Sequence, residues 1–300
     1  MVRIIAIIVL VSLAGLGFVF HEEIKDFSDS WSLAREATEG GDTLEQRLMV
    51  YEKGHQQHPG NLNIALKLAE LYTRAEKHEK ANVLYLHLLT DHADDMRVLV
   101  GYANLLKTDP RHLNKAIVYL KRAFKENPAN PMLLYTLGSI YQSAAENPDE
   151  TREPVKQWLY DWAVYYYRQA VRHDISLFDG WFGLGVVHQG LHHYNKAANR
   201  YCNALLLKPR NYEAHYNLGL VLVQLNRMEE AYPHFEEAIR LLSDSNRMLE
   251  AQSLAERVQV IKDQQYYRGR GDAGGTLGHT PMDDGTEPLN PACFNSIPVQ

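Results

Sequence analysis

The chain opens on a stretch with almost no polar positions. Residues 4–20 are apolar or small apart from Ser12. At about 1.5 Å per residue a helix of that length spans roughly 26 Å, near the lower limit for crossing a bilayer. Arg3 precedes the stretch, and His21, Glu22 and Glu23 follow it. Basic before and acidic after favours a cytoplasmic N-terminus, with the rest of the chain on the outer side. The competing reading is a cleaved signal peptide, for which Gly15-Leu16-Gly17 offers a weak site and no A-x-A site is present. A buried core helix is the third reading. It is disfavoured because the stretch is N-terminal, flanked by charge and apolar all round.

Beyond residue 27 apolar positions recur three and four apart, which predicts amphipathic helices. A longer period is laid over this one. Trp181, Leu184 and Gly185 are followed by Ala197, Tyr201, Ala204 and Pro209. The register returns about 34 residues later as Leu218, Gly219, Ala231, Phe235 and Ala238. Ala163, Tyr167 and Ala170 hold the same places one period earlier. Leu137, Gly138 and Tyr141 form the matching first helix, displaced by an insertion at 146–161 that carries Pro148 and Pro154. Further back stand Ala103, Ala116, Leu120, Ala123 and Pro128, and before them Leu68, Ala69, Tyr72, Ala81 and Tyr85.

This pattern resembles the tetratricopeptide repeat family, whose motif pairs a W-x2-L-G-x2-Y first helix with small–aromatic–small spacing in the second. The register gives repeats at 62–95, 97–130, 131–176, 178–211 and 212–245. A weaker one at 28–61 keeps Trp31, Tyr51 and Pro59. Residues 1–27 are then the anchor or signal, 246–267 a capping helix, and 268–300 a glycine- and proline-rich flexible tail. The fold class expected is all-α, a right-handed superhelix of stacked helix pairs preceded by one transmembrane helix. Pro233 falls inside a second helix and predicts a kink or a late helix start.

The resemblance also implies where partners bind. First helices of this family line the inside of the superhelix. The inward set here is Leu66, Glu70, Val98, Leu105, Tyr135, Ser139, Gln142, Phe182, Val186, Gln189, Tyr216, Leu220 and Gln224. Tyr135, Phe182 and Tyr216 share one register and make an aromatic stripe, with Gln142 and Gln189 as a polar row beside it. Aromatics flanked by amides suit an extended peptide or a partner helix. The alternative is that these residues only pack between helices. The Lys/Asn clamp of the chaperone-binding subclass is missing. Leu66, Gly101 and Tyr135 stand at its lysine sites and Glu70, Leu105 and Ser139 at its asparagine sites, although Asn217 matches one clamp asparagine.

Candidate chemistry is sparse. His188 and His192 share a helix face at i, i+4 and are weak metal candidates, with no acidic or cysteine partner nearby in sequence. No H-E-x-x-H, G-x-S-x-G or phosphate-binding glycine pattern appears in a proper context. No catalytic residue, cofactor or small-molecule substrate is expected. The insertion is expected as a surface loop, and an extra partner contact through Trp158 and Tyr160 is the alternative. A net charge of −6 argues against a nucleic-acid partner. The two cysteines, Cys202 and Cys293, cannot make a disulfide framework and form no C-x-x-C pair.

The function this points to is a membrane-anchored interaction scaffold or assembly factor for an envelope complex, on a bacterial inner membrane facing the periplasm. A permanent structural subunit of a larger membrane complex is the alternative.

Overall fold

The computed structural model describes residues 19–39, 43–147, 152–245 and 247–271. Most of the apolar N-terminal stretch and the whole 272–300 tail lie outside these residues, and with them the transmembrane and tail expectations. Among the described residues no helix is long and apolar enough to cross a membrane.

Every long element described is an α-helix, and the helices fall into two compact units. In the first unit the helices are α1 (Val19–Glu39), α2 (Leu44–Gln57), α3 (Leu62–Arg74), α4 (His78–Asp91), α5 (Met96–Leu106) and α6 (Leu113–Glu126). The short 3-10 turn Pro110–His112 leads into α6. In the second unit they are α7 (Pro131–Ala145), α8 (Glu153–His173), α9 (Phe178–Gly190), α10 (Tyr194–Leu207), α11 (Tyr212–Gln224), α12 (Met228–Asp244) and α13 (Met248–Gly271). Within each unit a helix packs on its chain neighbours, and first helices of successive pairs also touch, as α3 does α5 and α9 does α11. This is the solenoid arrangement of helix pairs that the period predicts. The first helix, α1, runs without a break through the boundary expected after residue 27.

Local chemistry sets the helix ends. Asn61, Asp95, Asn130 and Asn211 cap the first helices α3, α5, α7 and α11, each side chain accepting from amides of the first turn. The turn inside a pair uses a different device. Glu76, His192 and Asn226 hold left-handed φ values of 56°, 60° and 59°. The next residue's amide then reaches back to close the helix: Lys77 to Tyr72, His193 to His188 and Arg227 to Leu222, at 2.8–2.9 Å. These are Schellman closures, built without glycine.

The core is assembled from glycine and aromatic partners. A Cβ on Gly138 would meet the Tyr167 ring at 2.7 Å, one on Gly185 the Tyr201 ring at 2.6 Å, and one on Gly219 the Phe235 ring at 2.6 Å. The second helix of each pair therefore lays its large ring on bare backbone of the first. Ala251, Leu254 and Val258 of α13 close the last apolar face.

Two expectations are corrected. The insertion is helical from Glu153 onward, so α8 has 21 residues where α4, α6 and α10 have 14. Pro154 does not break it because it sits in the first turn, where its missing N–H has no partner to lose. Pro233 does not delay its helix either. The helix α12 starts at Met228 and runs through the proline to Asp244. The Glu229 carbonyl, four residues back, thereby lacks its helical donor. Pro233→Ala is expected to raise the unfolding free energy by about 1–3 kcal/mol, measured by urea denaturation. An unchanged or lowered midpoint contradicts this.

Candidate partner-binding site

In the second unit the three aromatics of the predicted stripe lie on the first helices α7, α9 and α11. Tyr135, Phe182 and Tyr216 are each partly exposed. Each one leans on the large ring of its own pair. Tyr135 meets Tyr167 at 5.7 Å between centroids, Phe182 meets Tyr201 at 5.6 Å, and Tyr216 meets Phe235 at 5.9 Å. One ring is buried and the next is partly exposed, which gives a preorganised aromatic rung in each of three pairs. Arg257 of α13 sits over the Tyr216 ring at 5.3 Å. Val186 and Leu220, one turn further along, are partly buried beside the rungs and pack on the same core.

The amide row is used differently from the expectation. The Tyr167 hydroxyl donates to Gln142 at 2.7 Å, and the Tyr201 hydroxyl donates to Gln189 at 2.8 Å. Burial pushes both phenols well above the ordinary tyrosine range, so they stay protonated donors. Gln142 also donates to Glu146 at 3.0 Å. These amides first satisfy buried hydroxyls of their own repeats and are not open to bond a peptide backbone through those atoms. The last pair follows the same logic. There the large ring is Phe235, which has no hydroxyl, and Val223 stands in the register of Gln142 and Gln189. Gln224 is one place on and exposed.

Three further positions are corrected. Val98, Leu105 and Ser139 are buried between helices, because their faces meet neighbouring helices. In the first unit Leu66 is partly buried, and the exposed Glu70 is paired with Lys67 at 2.8 Å and Arg74 at 3.7 Å.

The structure separates the histidine pair. His188 is buried and faces His193 at 5.9 Å between ring centroids. His192, held in the left-handed turn, points its Nδ1 at the Tyr194 hydroxyl at 2.9 Å. Among the described residues no three His, Cys, Asp or Glu side chains stand together as metal ligands do.

A second aromatic surface was only half visible in the sequence. On the extended α8, Trp158 is 55% and Tyr165 50% exposed, with Trp162 between them at 6.3 Å and 5.7 Å. Tyr166 and Tyr141 continue the ladder inward as stacked rings 5.5 Å apart. Tyr160, expected beside Trp158, is instead buried, its hydroxyl against Gly190. The signal was present as helical spacing, since 158, 162 and 165 fall on one face.

Residues 182–246 match the tetratricopeptide repeat family model. The PEX5-related protein of Rattus norvegicus is 25% identical over 230 residues, 74% of this chain. The chain spans 37% of that relative's length. TTC0263, a thermophilic TPR protein of Thermus thermophilus, superposes with a TM-score of 0.55 at 17% identity, covering 64% of this chain and 97% of its own. The APC/C hetero-tetramer Cut9-Hcn1 gives 0.57 at 17% identity, covering 71% of this chain and 39% of the other. These two likenesses concern the fold. The family match is thus placed at 182–246, and the likenesses to solved structures show the same helix-pair solenoid fold around it.

Proposed function

We propose that the chain is a membrane-anchored interaction scaffold or assembly factor that binds an extended peptide or a helix of a protein partner on the aromatic rungs of its second unit. One observation carries this reading. Tyr135, Phe182 and Tyr216 occupy one register in three successive first helices, each partly exposed and each braced by a buried ring. Braced aromatics bind with little loss of side-chain freedom. The rung spacing suits a ligand read at regular intervals.

The anchor rests on the apolar stretch at 4–20 and its flanking charges. Placement of the repeats on the non-cytoplasmic side, facing a bacterial periplasm, has the support of one more feature. Cys202 is disulfide-bonded, and disulfides persist in oxidising compartments. No catalytic role, cofactor or nucleic-acid partner is proposed.

A second reading, a permanent subunit of a membrane complex, is favoured by the exposed Trp158, Trp162 and Tyr165. Large aromatics left in solvent mark surfaces that a partner covers. Crosslinking in gently solubilised native membranes separates the two. The Tyr135→Ala, Phe182→Ala, Tyr216→Ala protein, folded by circular dichroism, is expected to lose the partner by more than about tenfold. Trp158→Ala, Tyr165→Ala is expected to retain it. The reverse pattern supports the permanent subunit and sinks the rung reading.

A further inference from the structure

One face of α8 is left in solvent along most of its length. Trp158, Trp162, Tyr165, Arg168 and Arg172 are all exposed. They follow one another at intervals of four, three, three and four residues, so they form one stripe down the helix. The stripe has two halves. The first is the aromatic ladder, whose rings already hold one another edge to face. The second is a pair of guanidinium groups one helical turn apart. Asp161 lies beside the stripe, and it accepts a hydrogen bond from the Gln157 amide at 3.2 Å.

The arginines single out this face. Among the described residues Arg168 and Arg172 have no ion pair, hydrogen bond or ring contact, whereas every other arginine whose side chain is described has a charged, polar or aromatic partner. Arg200 lines the same cleft as these two, but it sits over the Trp181 ring at 5.8 Å. The helix dipole accounts for a cation at Arg172, in the last turn, but not at Arg168 one turn earlier. Four residues apart on a helix is also an unfavourable spacing for like charges. Carboxylates brought to the two guanidinium groups relieve that repulsion and gain charge-assisted hydrogen bonds.

Read along α8, the stripe therefore calls for a ligand in a fixed order, apolar first and acidic second. A bilayer surface does not present that order. Its apolar and charged layers are stacked by depth, so a helix lying on it meets both along its whole length. A second helix does present it. The three-and-four spacing is the one by which helices pack along each other. From Trp158 to Arg172 the stripe is about 21 Å long, close to four turns.

We propose that this face of α8 docks an acidic amphipathic helix of a partner protein, about four turns long. Its apolar side chains lie on Trp158, Trp162 and Tyr165. Two of its carboxylates, three or four residues apart, pair with Arg168 and Arg172. This assignment is independent of the rung surface.

The test uses the full-length protein in its native cells, with photoreactive p-benzoylphenylalanine in place of Gln169. That position lies on the same face, four residues after Tyr165 and three before Arg172. Irradiation followed by mass spectrometry identifies the captured segment. The expected adduct is a protein segment with two Asp or Glu three or four residues apart beside apolar residues. A lipid adduct, a basic or uncharged segment, or no adduct above the unirradiated control overturns the proposal. Charge reversal then tests the arginines. Arg168→Glu, Arg172→Glu, at two exposed positions, is expected to cut the adduct yield by about tenfold or more. A synthetic peptide of the captured segment, its acids changed to lysine, is expected to bind that variant and not the wild type. Equal yields in the two proteins, or a lysine peptide that binds both alike, overturn the pairing with Arg168 and Arg172.

Discussion

Phe235→Ala is expected to lower the unfolding free energy of the second unit by about 3–5 kcal/mol, the range for emptying a fully buried aromatic site. Phe235 has no exposed surface. Its ring lies on the bare backbone at Gly219, braces Tyr216 and packs in the same core cluster as Leu218 and Ala238. Collapse into the space is resisted because the floor is main chain, which cannot move without shifting α11 against α12. Urea denaturation followed at a probe in the second unit measures the loss. A cost under about 1 kcal/mol means the ring is not the keystone that its packing implies. Phe235→Tyr sharpens the test. Its hydroxyl finds Val223 where the other two repeats offer glutamine, so it is expected to cost about 1–3 kcal/mol, the desolvation of an unpaired hydroxyl.

The second large effect is on pH. His215 and His234 are buried with their Nδ1 atoms 2.9 Å apart. The Pro209 carbonyl can only accept, so the Nε2 of His215 at 3.0 Å must carry a proton and donate. In the neutral pair His215 then offers the lone pair of Nδ1, and the Nδ1–H of His234 donates to it. Both rings are held neutral. Burial, with the neighbouring His215 second, pushes His234 down to about 3, and burial lowers His215 too, against the opposing pull of the Pro209 carbonyl and Glu237. The folded values lie below the ordinary 6.5 of an unfolded chain. Stability is therefore full above about pH 6.5 and declines as pH falls toward the folded values. Each proton taken up only by the unfolded chain costs about 1.4 kcal/mol per pH unit. Between pH 6.5 and 5 the expected loss is about 2 kcal/mol for His234 alone, and more with His215. His234→Gln keeps a donor to His215 and removes one titration. Its stability is expected to be lower at pH 7.5 and flatter below 6.5. Equal acid slopes in the two proteins would show that the pair is not the source.

The period carried much of the architecture in the sequence. Gly185 with Tyr201 and Gly219 with Phe235 are contacts at one separation of 16 residues, so spacing announced them, whereas Gly138 and Tyr167 stand 29 apart because the insertion lies between them. The aromatic register of Tyr135, Phe182 and Tyr216 followed from the same spacing. What spacing could not show was how polar atoms are spent. Gln142 and Tyr167 are 25 residues apart, and only the folded pair reveals that the amide serves the hydroxyl. Pro233 was legible as lying inside a helix, and only the late start failed, whereas the helix that begins at Pro154 was hidden by the expectation of a loop.

The ladder on α8 has an optical consequence. The chain has four tryptophans, and two of them, Trp158 and Trp162, hold their indoles at 80° and 6.3 Å on one helical surface. Rings this close couple their electronic transitions, and crossed rings give that coupling a handed signal in ultraviolet circular dichroism. A molecule that settles over the ladder, or any fraying of the first turns of α8, would change the signal without a dye or tag. The protein thus carries its own spectroscopic gauge of that face.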